Sequence, residues 1–183
     1  MNLFTHELTH IFLSLFSGFI IWKLISNKQK FLLVSLISGI IGGFLIDLDH
    51  FVDYFLAFPY TLNINYFLKG YQFLKSDKIY VPLHSYELIL FLLITSIALW
   101  NMSLRAKRSN PKQNLFFTSI IVFILSLSMF SHIALDIVDN ELPIPTYSLI
   151  YRINKNFEIK NLVYPDHYRY HLEQKKILKV LSL

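Results

Sequence analysis

The sequence contains no cysteine, which excludes disulfide bonds and thiolate ligands for a metal. Charge is also scarce, since Asp, Glu, Lys and Arg make up 16% of the chain, whereas soluble domains carry about 25%. Hydrophobic residues make up 54%, and the mean hydropathy is +0.46. The composition therefore indicates an integral membrane protein, in which any metal must bind to His, Asp or Glu side chains.

Four apolar segments stand out, with almost no charge inside them. A spanning helix needs about 20 apolar residues, with a range of about 17–25, so the shorter segments need polar flanks at the interface to span. We predict an all-α fold, a four-helix transmembrane bundle; the alternative is a buried helical bundle. The first segment lacks the basic start and the cleavage pattern of a signal peptide, so we expect it to be retained. The segments are Leu8–Ile25, Phe31–Ile46, Leu88–Trp100 and Leu115–Ile133.

A long polar loop and a C-terminal tail lie outside these segments. The loop covers Asp47–Glu87 and separates the second span from the third. We predict a membrane-embedded metal-site domain over residues 1–150 and a tail over residues 151–183. The end of the tail, Tyr168–Leu183, is basic and amphipathic, which indicates an interfacial helix on the membrane surface.

The charges are divided unevenly between the two predicted sides of the membrane. The loops Lys23–Lys30 and Asn101–Asn114 carry seven Lys and Arg, while all 12 acids and all seven histidines fall on the other side. The positive-inside rule makes these basic loops cytoplasmic. The positive-inside rule alone accounts for part of this uneven distribution of charge, but it does not predict on which side histidines lie. We therefore expect a shared site on the non-cytoplasmic face of a bacterial or archaeal cell membrane, together with the polar loop and the tail.

His6, Glu7 and His10 form a His-Glu-x-x-His pattern at the start of the first span. Histidines four residues apart share one face of a helix. In zinc peptidases with this pattern the histidines bind zinc and the glutamate is the general base. The alternative is a pair of interfacial histidines beside an incidental acid.

Asp47, Asp49 and His50 come where the second span ends, and Asp53 follows one helical turn after Asp49. An ionisable residue here could simply mark the end of the span. Unpaired ionisable groups at a membrane boundary are costly, however, and are usually functional. We predict Asp49 as a metal ligand, with Asp47 and His50 as a general base or as supporting groups.

Further donors lie at the ends of the other two spans. His84 opens the third span; taken alone it would be an interfacial residue, but its helix end should lie near the others. His132 and Asp136 close the fourth span on one helix face, and Asp139 continues that face. The carboxylate could bind the same ion as His132 or orient the imidazole.

His167 and His171 are also four residues apart, but they lie in the tail. We interpret them as part of an aromatic, basic surface that contacts the membrane, with metal binding as the alternative. The donor types elsewhere suit one or two divalent ions, most readily Zn²⁺, or Mn²⁺ in an oxygen-richer site. The predicted ligands are His6, His10, Asp49, His84, His132 and Asp136, and the predicted bases are Glu7, Asp47 and His50.

These motifs, in this order, resemble the YdjM-like family of membrane-bound metal-dependent hydrolases over residues 1–150. That family has an N-terminal histidine, an Asp-x-Asp-His after a glycine-containing apolar segment, a His-Ser, and a Ser-His-x-x-x-Asp near a helix end. The resemblance implies a helical ancestry shared with zinc-dependent phospholipase C and single-strand-specific zinc nucleases, and hydrolysis of a phosphoester. The matching residues are His6 or His10, Asp47 to His50, His84-Ser85, and Ser131 to Asp136.

The chain departs from the family pattern at two places. Ile46 stands where the family commonly has proline before the Asp-x-Asp-His. A His-Arg-Gly-x-Thr segment before the His-Ser is absent here, and Val81, Pro82 and Leu83 stand in its place. The second departure removes an arginine that could contact a phosphate.

The sequence thus favours a membrane-bound hydrolase in which metal-activated water attacks a phosphoester, such as that of a phospholipid. One alternative is a membrane zinc peptidase that uses His6, Glu7 and His10. Another is a non-enzymatic metal-binding membrane protein. The basic loops are short and explained by topology, so we expect no nucleic-acid partner.

Overall fold

The computed structural model describes residues 3–25, 29–106, 110–140 and 142–180. The predicted all-α fold is confirmed: the described residues form helices and no strand, apart from a single antiparallel bridge between Lys78 and Glu158. The helices are α1 (Leu3–Ile25), α2 (Gln29–Asp47), α3 (His50–Ala57), α4 (Ile64–Leu68), α5 (Tyr71–Ser76), α6 (Tyr86–Arg105), α7 (Asn110–Asp139), α8 (Leu149–Asn154), α9 (Ile159–Leu162) and α10 (Pro165–Val180).

The chain divides into two compact units. The first unit comprises Met1–Ile46 and Tyr86–Asp139, and the second comprises Asp47–Ser85 and Asn140–Leu183. This division differs from the predicted boundary at residue 150. The physical reason is that the loop after α2 pairs with the tail, for example where the Ile159 amide donates to the Asp77 carbonyl at 3.0 Å.

Four helical segments are long and apolar enough to span a membrane. The first matches its predicted apolar segment, and the other three extend beyond theirs because helical hydrogen bonding continues into the polar flanks. The segment that was predicted to end at Trp100, for example, is helical as far as Arg105. The candidate spans are Leu8–Ile25, Phe31–Ala57, Tyr86–Arg105 and Asn114–Asp139.

Small residues let the helices of the first unit approach closely. A side-chain carbon on Gly18 would lie 2.3 Å from the Ser35 carbonyl oxygen, and one on Gly39 would lie 2.2 Å from that of Ser14. The later residue of α1 is close to the earlier residue of α2 and the reverse, so α1 and α2 are antiparallel. The Ser128 hydroxyl of α7 donates to the Gly39 carbonyl at 2.7 Å. Such small and hydroxyl side chains are typical of helix contacts within membranes.

The first unit has polar side chains inside and apolar side chains outside. Serines on all four long helices are buried, among them Ser14, Ser35, Ser96 and Ser126. Large apolar side chains such as Phe12, Leu33, Phe91 and Phe130 are exposed. This arrangement is the reverse of that in soluble proteins, and it suits a surface that contacts lipid.

The second unit consists of short helices joined by turns. Tyr54, Ala57 and Phe58 form its aromatic core, against which Tyr66, Phe67 and Tyr71 pack. The Tyr54 hydroxyl accepts a hydrogen bond from the Asn63 amide at 2.8 Å, which fixes the chain just before α4. This packing gives α3 a defined buried face, which carries one of the predicted acids, Asp53.

Candidate metal sites

In the first unit, three donor atoms from α1 and α7 lie close together. His6 Nε2 lies 2.9 Å from His10 Nε2 and 3.4 Å from Asp136 Oδ1. His10 Nε2 lies 3.3 Å from the same carboxylate oxygen. We call these three residues the first cluster. His10 and Asp136 are buried, and His6 is partly exposed.

The spacing of the first cluster suits a tetrahedral ion. Zinc lies about 2.0–2.1 Å from its nitrogen and oxygen ligands, so two ligand atoms of a tetrahedral site lie about 3.3 Å apart. The distances in the cluster are close to this value. It forms because His6 and His10 share one face of α1, and the start of α1 lies beside the end of α7.

Neighbouring side chains hold the first cluster in this geometry. Asp139 Oδ2 lies 2.8 Å from His6 Nδ1, which leaves Nε2 of the neutral ring as the atom that can bind a metal. The His10 ring stacks on the His132 ring, with centroids 3.6 Å apart. His132 Nε2 lies 3.5 Å from Asp136 Oδ2, so His132 is a further donor at the edge of the cluster.

A second group of donors lies in the second unit. His84 Nε2 is 3.5 Å from Asp47 Oδ1, and His50 Nε2 is 4.0 Å from the same oxygen. We call Asp47, His50 and His84 the second cluster. Ligand atoms of Asp49, His50 and His84 also lie within 4.8 Å of one another.

The hydrogen bonds of Asp49 distinguish its role from that of Asp47. One oxygen of the buried Asp49 accepts the amides of Leu83 and His84, at 2.6 and 3.1 Å. Its other oxygen lies 2.9 Å from His84 Nδ1. Asp49 therefore orients the His84 ring, and the more exposed Asp47 presents an oxygen to His84 Nε2. The pattern repeats the contact between Asp139 and His6 in the first unit.

Two buried side chains, Asp53 and Arg152, bind the backbone of the turn that carries His84. Asp53 accepts the amides of Tyr80 and Val81, at 2.8 and 2.9 Å. Val81 has a φ of 27°, an unfavourable value for a β-branched residue. Such strain persists only where the surroundings fix the backbone, and it is common near functional sites.

Arg152 provides the other support for this turn. Its guanidinium is fully buried and donates to the carbonyls of Val81, His84 and Thr146, at 2.9, 3.0 and 3.0 Å. These bonds come from the two terminal nitrogens and direct the guanidinium at the backbone of this turn.

No family model, curated protein or solved structure matches this chain. The resemblance to the YdjM-like family therefore stays a prediction. What the chain can do is inferred from its own geometry.

The structure brings most of the predicted residues into one of the two clusters. His6, His10, His132 and Asp136 meet in the first unit, and four of the other predicted groups meet in the second. The side chain of Glu7 lies outside the described residues. The prediction that every donor meets at one point stays a prediction. The residues that meet in the second unit are Asp47, Asp49, His50 and His84.

The histidines of the tail are separate from both clusters. His171 Nε2 lies 3.0 Å from Asp77 Oδ1, and Lys175 binds the other oxygen of the same carboxylate. A lysine ammonium at this position disfavours a metal ion, so this group connects α10 to the end of α5. His167 contacts the Tyr164 ring.

Two residues that support the clusters were not assigned a role from the sequence. Asp139 was recognised as sharing a helix face with Asp136, and that spacing was the available signal. Nothing in the sequence indicated that Arg152 is buried, because a lone arginine in a basic tail is normally a surface residue.

Proposed function

We propose that this chain is a membrane-bound, metal-dependent hydrolase that cleaves a phosphoester, such as that of a phospholipid. The observation that carries the proposal is the first cluster, in which His6 Nε2, His10 Nε2 and Asp136 Oδ1 lie 2.9–3.4 Å from one another. An ion between these three groups would balance the charge of the buried carboxylate and bind all three donor atoms.

The residues of the first cluster take definite roles in this proposal. His6, His10 and Asp136 hold the ion, and three protein ligands leave a position open for water, as in catalytic zinc sites. A bound zinc ion lowers the pKa of such a water and polarises the phosphoryl oxygen. Asp139 keeps His6 in the tautomer that binds through Nε2, and His132 fixes the plane of the His10 ring.

The second cluster supports a phosphoester as the substrate. Asp47, His50 and His84 supply a second set of donors, with Asp49 orienting His84. Hydrolysis of a phosphoester is chemistry that divalent ions promote, and donors of these types can hold such an ion. Asp47 and His50 are partly exposed, so either can accept a proton from water if the second cluster holds no ion.

The location of the first cluster supports a substrate in the membrane. His6 and His10 lie at the start of α1, and Asp136 lies at the end of α7. Both positions are at the ends of candidate spans, where lipid headgroups lie. A phospholipid presents its phosphoester at that depth.

The experiment measures metal content and hydrolysis together. We expect the protein purified in detergent to hold zinc, and to release phosphate or headgroup from phospholipid vesicles. A chelator should abolish this release, and added zinc should restore it. His10→Gln should lose the metal of the first cluster and lower turnover at least about a hundredfold, since it removes a ligand.

The matched control is His167→Gln, which changes a histidine outside both clusters. We expect this variant to keep wild-type metal content and turnover. If His10→Gln and Asp136→Asn retain full metal content, the first cluster is not a metal site and the proposal fails. Bound metal without hydrolysis of any phosphoester would favour the non-enzymatic metal-binding protein.

A membrane zinc peptidase is the second candidate, and one observation favours it. Asp136 joins His6 and His10 as the third donor that a His-Glu-x-x-His site needs. In that case Glu7→Gln should abolish peptide cleavage, while Asp47→Asn and His84→Ala should not. For the phosphoesterase we expect the reverse pattern, with Asp47→Asn and His84→Ala impaired.

A further inference from the structure

The apolar side of α3 and the segment that follows it are exposed, although the second unit has a core of its own. Asp53, Tyr54 and Ala57 form the buried face of α3, whereas Val52, Phe55 and other apolar side chains point outward. A helix that buries an aspartate and exposes leucine and phenylalanine has the reverse polarity of a surface helix in water. The outward side chains are Phe51, Val52, Phe55 and Leu56.

The same character continues beyond the end of α3. Tyr60 is 102% exposed, Leu62 is 61% exposed and Ile64 is 66% exposed. From Phe51 to Leu68 the sequence contains one charged residue, Asp53, and its carboxylate is buried against backbone amides. Soluble monomers rarely expose continuous apolar patches of this extent.

The exposed segment is also packed against aromatic residues of the second unit. Phe51 stacks on Phe67 with ring centroids 4.4 Å apart, and Tyr54 packs edge-on against Phe67 at 5.8 Å. Asn63 caps α4 by accepting the amides of Asn65 and Tyr66. The apolar side chains therefore project from an ordered platform, and folding inward would break this packing.

We propose that the apolar side of α3 and the segment Pro59–Leu68 are embedded in the interfacial region of the bilayer. We call these residues the lipid-contact segment. The candidate span Phe31–Ala57 includes α3 and ends just before Pro59, so the segment continues directly from a span. Tyrosine is enriched at the depth where headgroups meet acyl chains. The proposal does not depend on the hydrolase activity.

The lack of basic residues indicates how the segment binds the bilayer. No basic side chain occurs between Phe51 and Leu68, and the first one is Lys69. The segment is therefore held in the bilayer by burial of its apolar side chains. Its embedding should not depend on anionic lipid or on salt. The basic helix α10 would behave in the opposite way, because its attraction to lipid is electrostatic.

The experiment uses the absence of native cysteine, which makes single-site labelling specific. Leu62→Cys and Lys160→Cys are each labelled with a nitroxide in protein reconstituted into phosphatidylcholine vesicles. Both positions are exposed in the second unit, so neither label disturbs a buried contact. We expect the label at residue 62 to be several-fold more accessible to oxygen than to a water-soluble nickel chelate. The label at residue 160 should show the opposite preference.

Three results would overturn the proposal. One is equal chelate access at both positions, which would place the segment in water. Another is shielding of residue 62 that disappears when the protein is diluted with excess lipid, because a second copy of the chain would then cover the segment. The third is shielding that requires anionic lipid or disappears in high salt. The labelling experiment does not depend on metal loading or hydrolysis, so its failure would leave the proposed function standing, and the reverse also holds.

Discussion

Asp139 and Asp49 make the same kind of contact in different units of the chain. Each carboxylate lies within hydrogen-bond distance of the Nδ1 atom of a histidine, at 2.8 Å for His6 and 2.9 Å for His84. Such a contact fixes the tautomer and the ring orientation of a metal-binding histidine. The two acids are therefore positioning residues in the proposed sites, and they are not expected to bind the ion.

Asp139→Asn tests this role at the first cluster. The amide keeps the size of the side chain but loses the negative charge that holds the His6 tautomer. We expect zinc affinity to fall about 10–100-fold, measured by competition with a chelator of known affinity in detergent. Asp166→Asn is the control, since Asp166 is an exposed acid paired with Arg169. Wild-type affinity in Asp139→Asn would contradict the assignment.

The placement of the histidines was more predictable from the sequence than the contacts of the acids. Spacing of four residues placed His6 with His10, and His132 with Asp136, because the α-helix fixes those distances. Asp49 is predicted as a ligand, and that stays a prediction; one of its oxygens accepts two amides more than 30 residues away in sequence. No local pattern specifies a contact over that separation.

At the scale of elements, the long helices were predictable and the short ones were not. Hydropathy identified the four spans but underestimated the length of three of them, because it measures side-chain polarity and not helical hydrogen bonding. The region predicted as a polar loop contains α3, α4 and α5. Isolated helices this short are unstable in water, so they form through the aromatic packing around Tyr54 and Phe67.

The attachment of α10 to the end of α5 should depend on pH. Partial burial favours the neutral form of Asp77, but hydrogen bonds from His171 and Lys175 outweigh it and lower the pKa of that carboxyl. A lowered pKa in the folded state stabilises the attachment above the ordinary aspartate range, near pH 3.9. That stability is lost as the pH falls through the lowered value.

Hydrogen exchange of the α10 amides measures this attachment. Asp77 is about half exposed, so the expected contribution is less than about 1 kcal/mol. We expect Asp77→Asn to speed exchange in α10 at neutral pH, with little further change on acidification. Glu173→Gln, on an exposed part of the same helix, should leave exchange unchanged. Equal exchange in wild type and Asp77→Asn would show that the contact does not hold the helix.

At the scale of the whole molecule, the distribution of charge predicts the orientation in the membrane. The two short basic loops contain no acid and no histidine, so we expect them in the cytoplasm. Single cysteines at Ser109 and Lys160 test this in intact cells with a thiol reagent that cannot cross the membrane. Lys160→Cys should be labelled, and Ser109→Cys should react only after the membrane is opened. The reverse result would place the acids and histidines inside.

The buried guanidinium of Arg152 also has a consequence for biosynthesis. It binds the carbonyl of His84, which lies 68 residues earlier in the chain, and all four candidate spans precede it. A ribosome therefore completes every span before it makes the side chain that secures the turn beneath His84. The support that Arg152 gives to the second unit therefore cannot form until the chain extends 68 residues beyond His84, and a chain truncated after Ser148 would lack it.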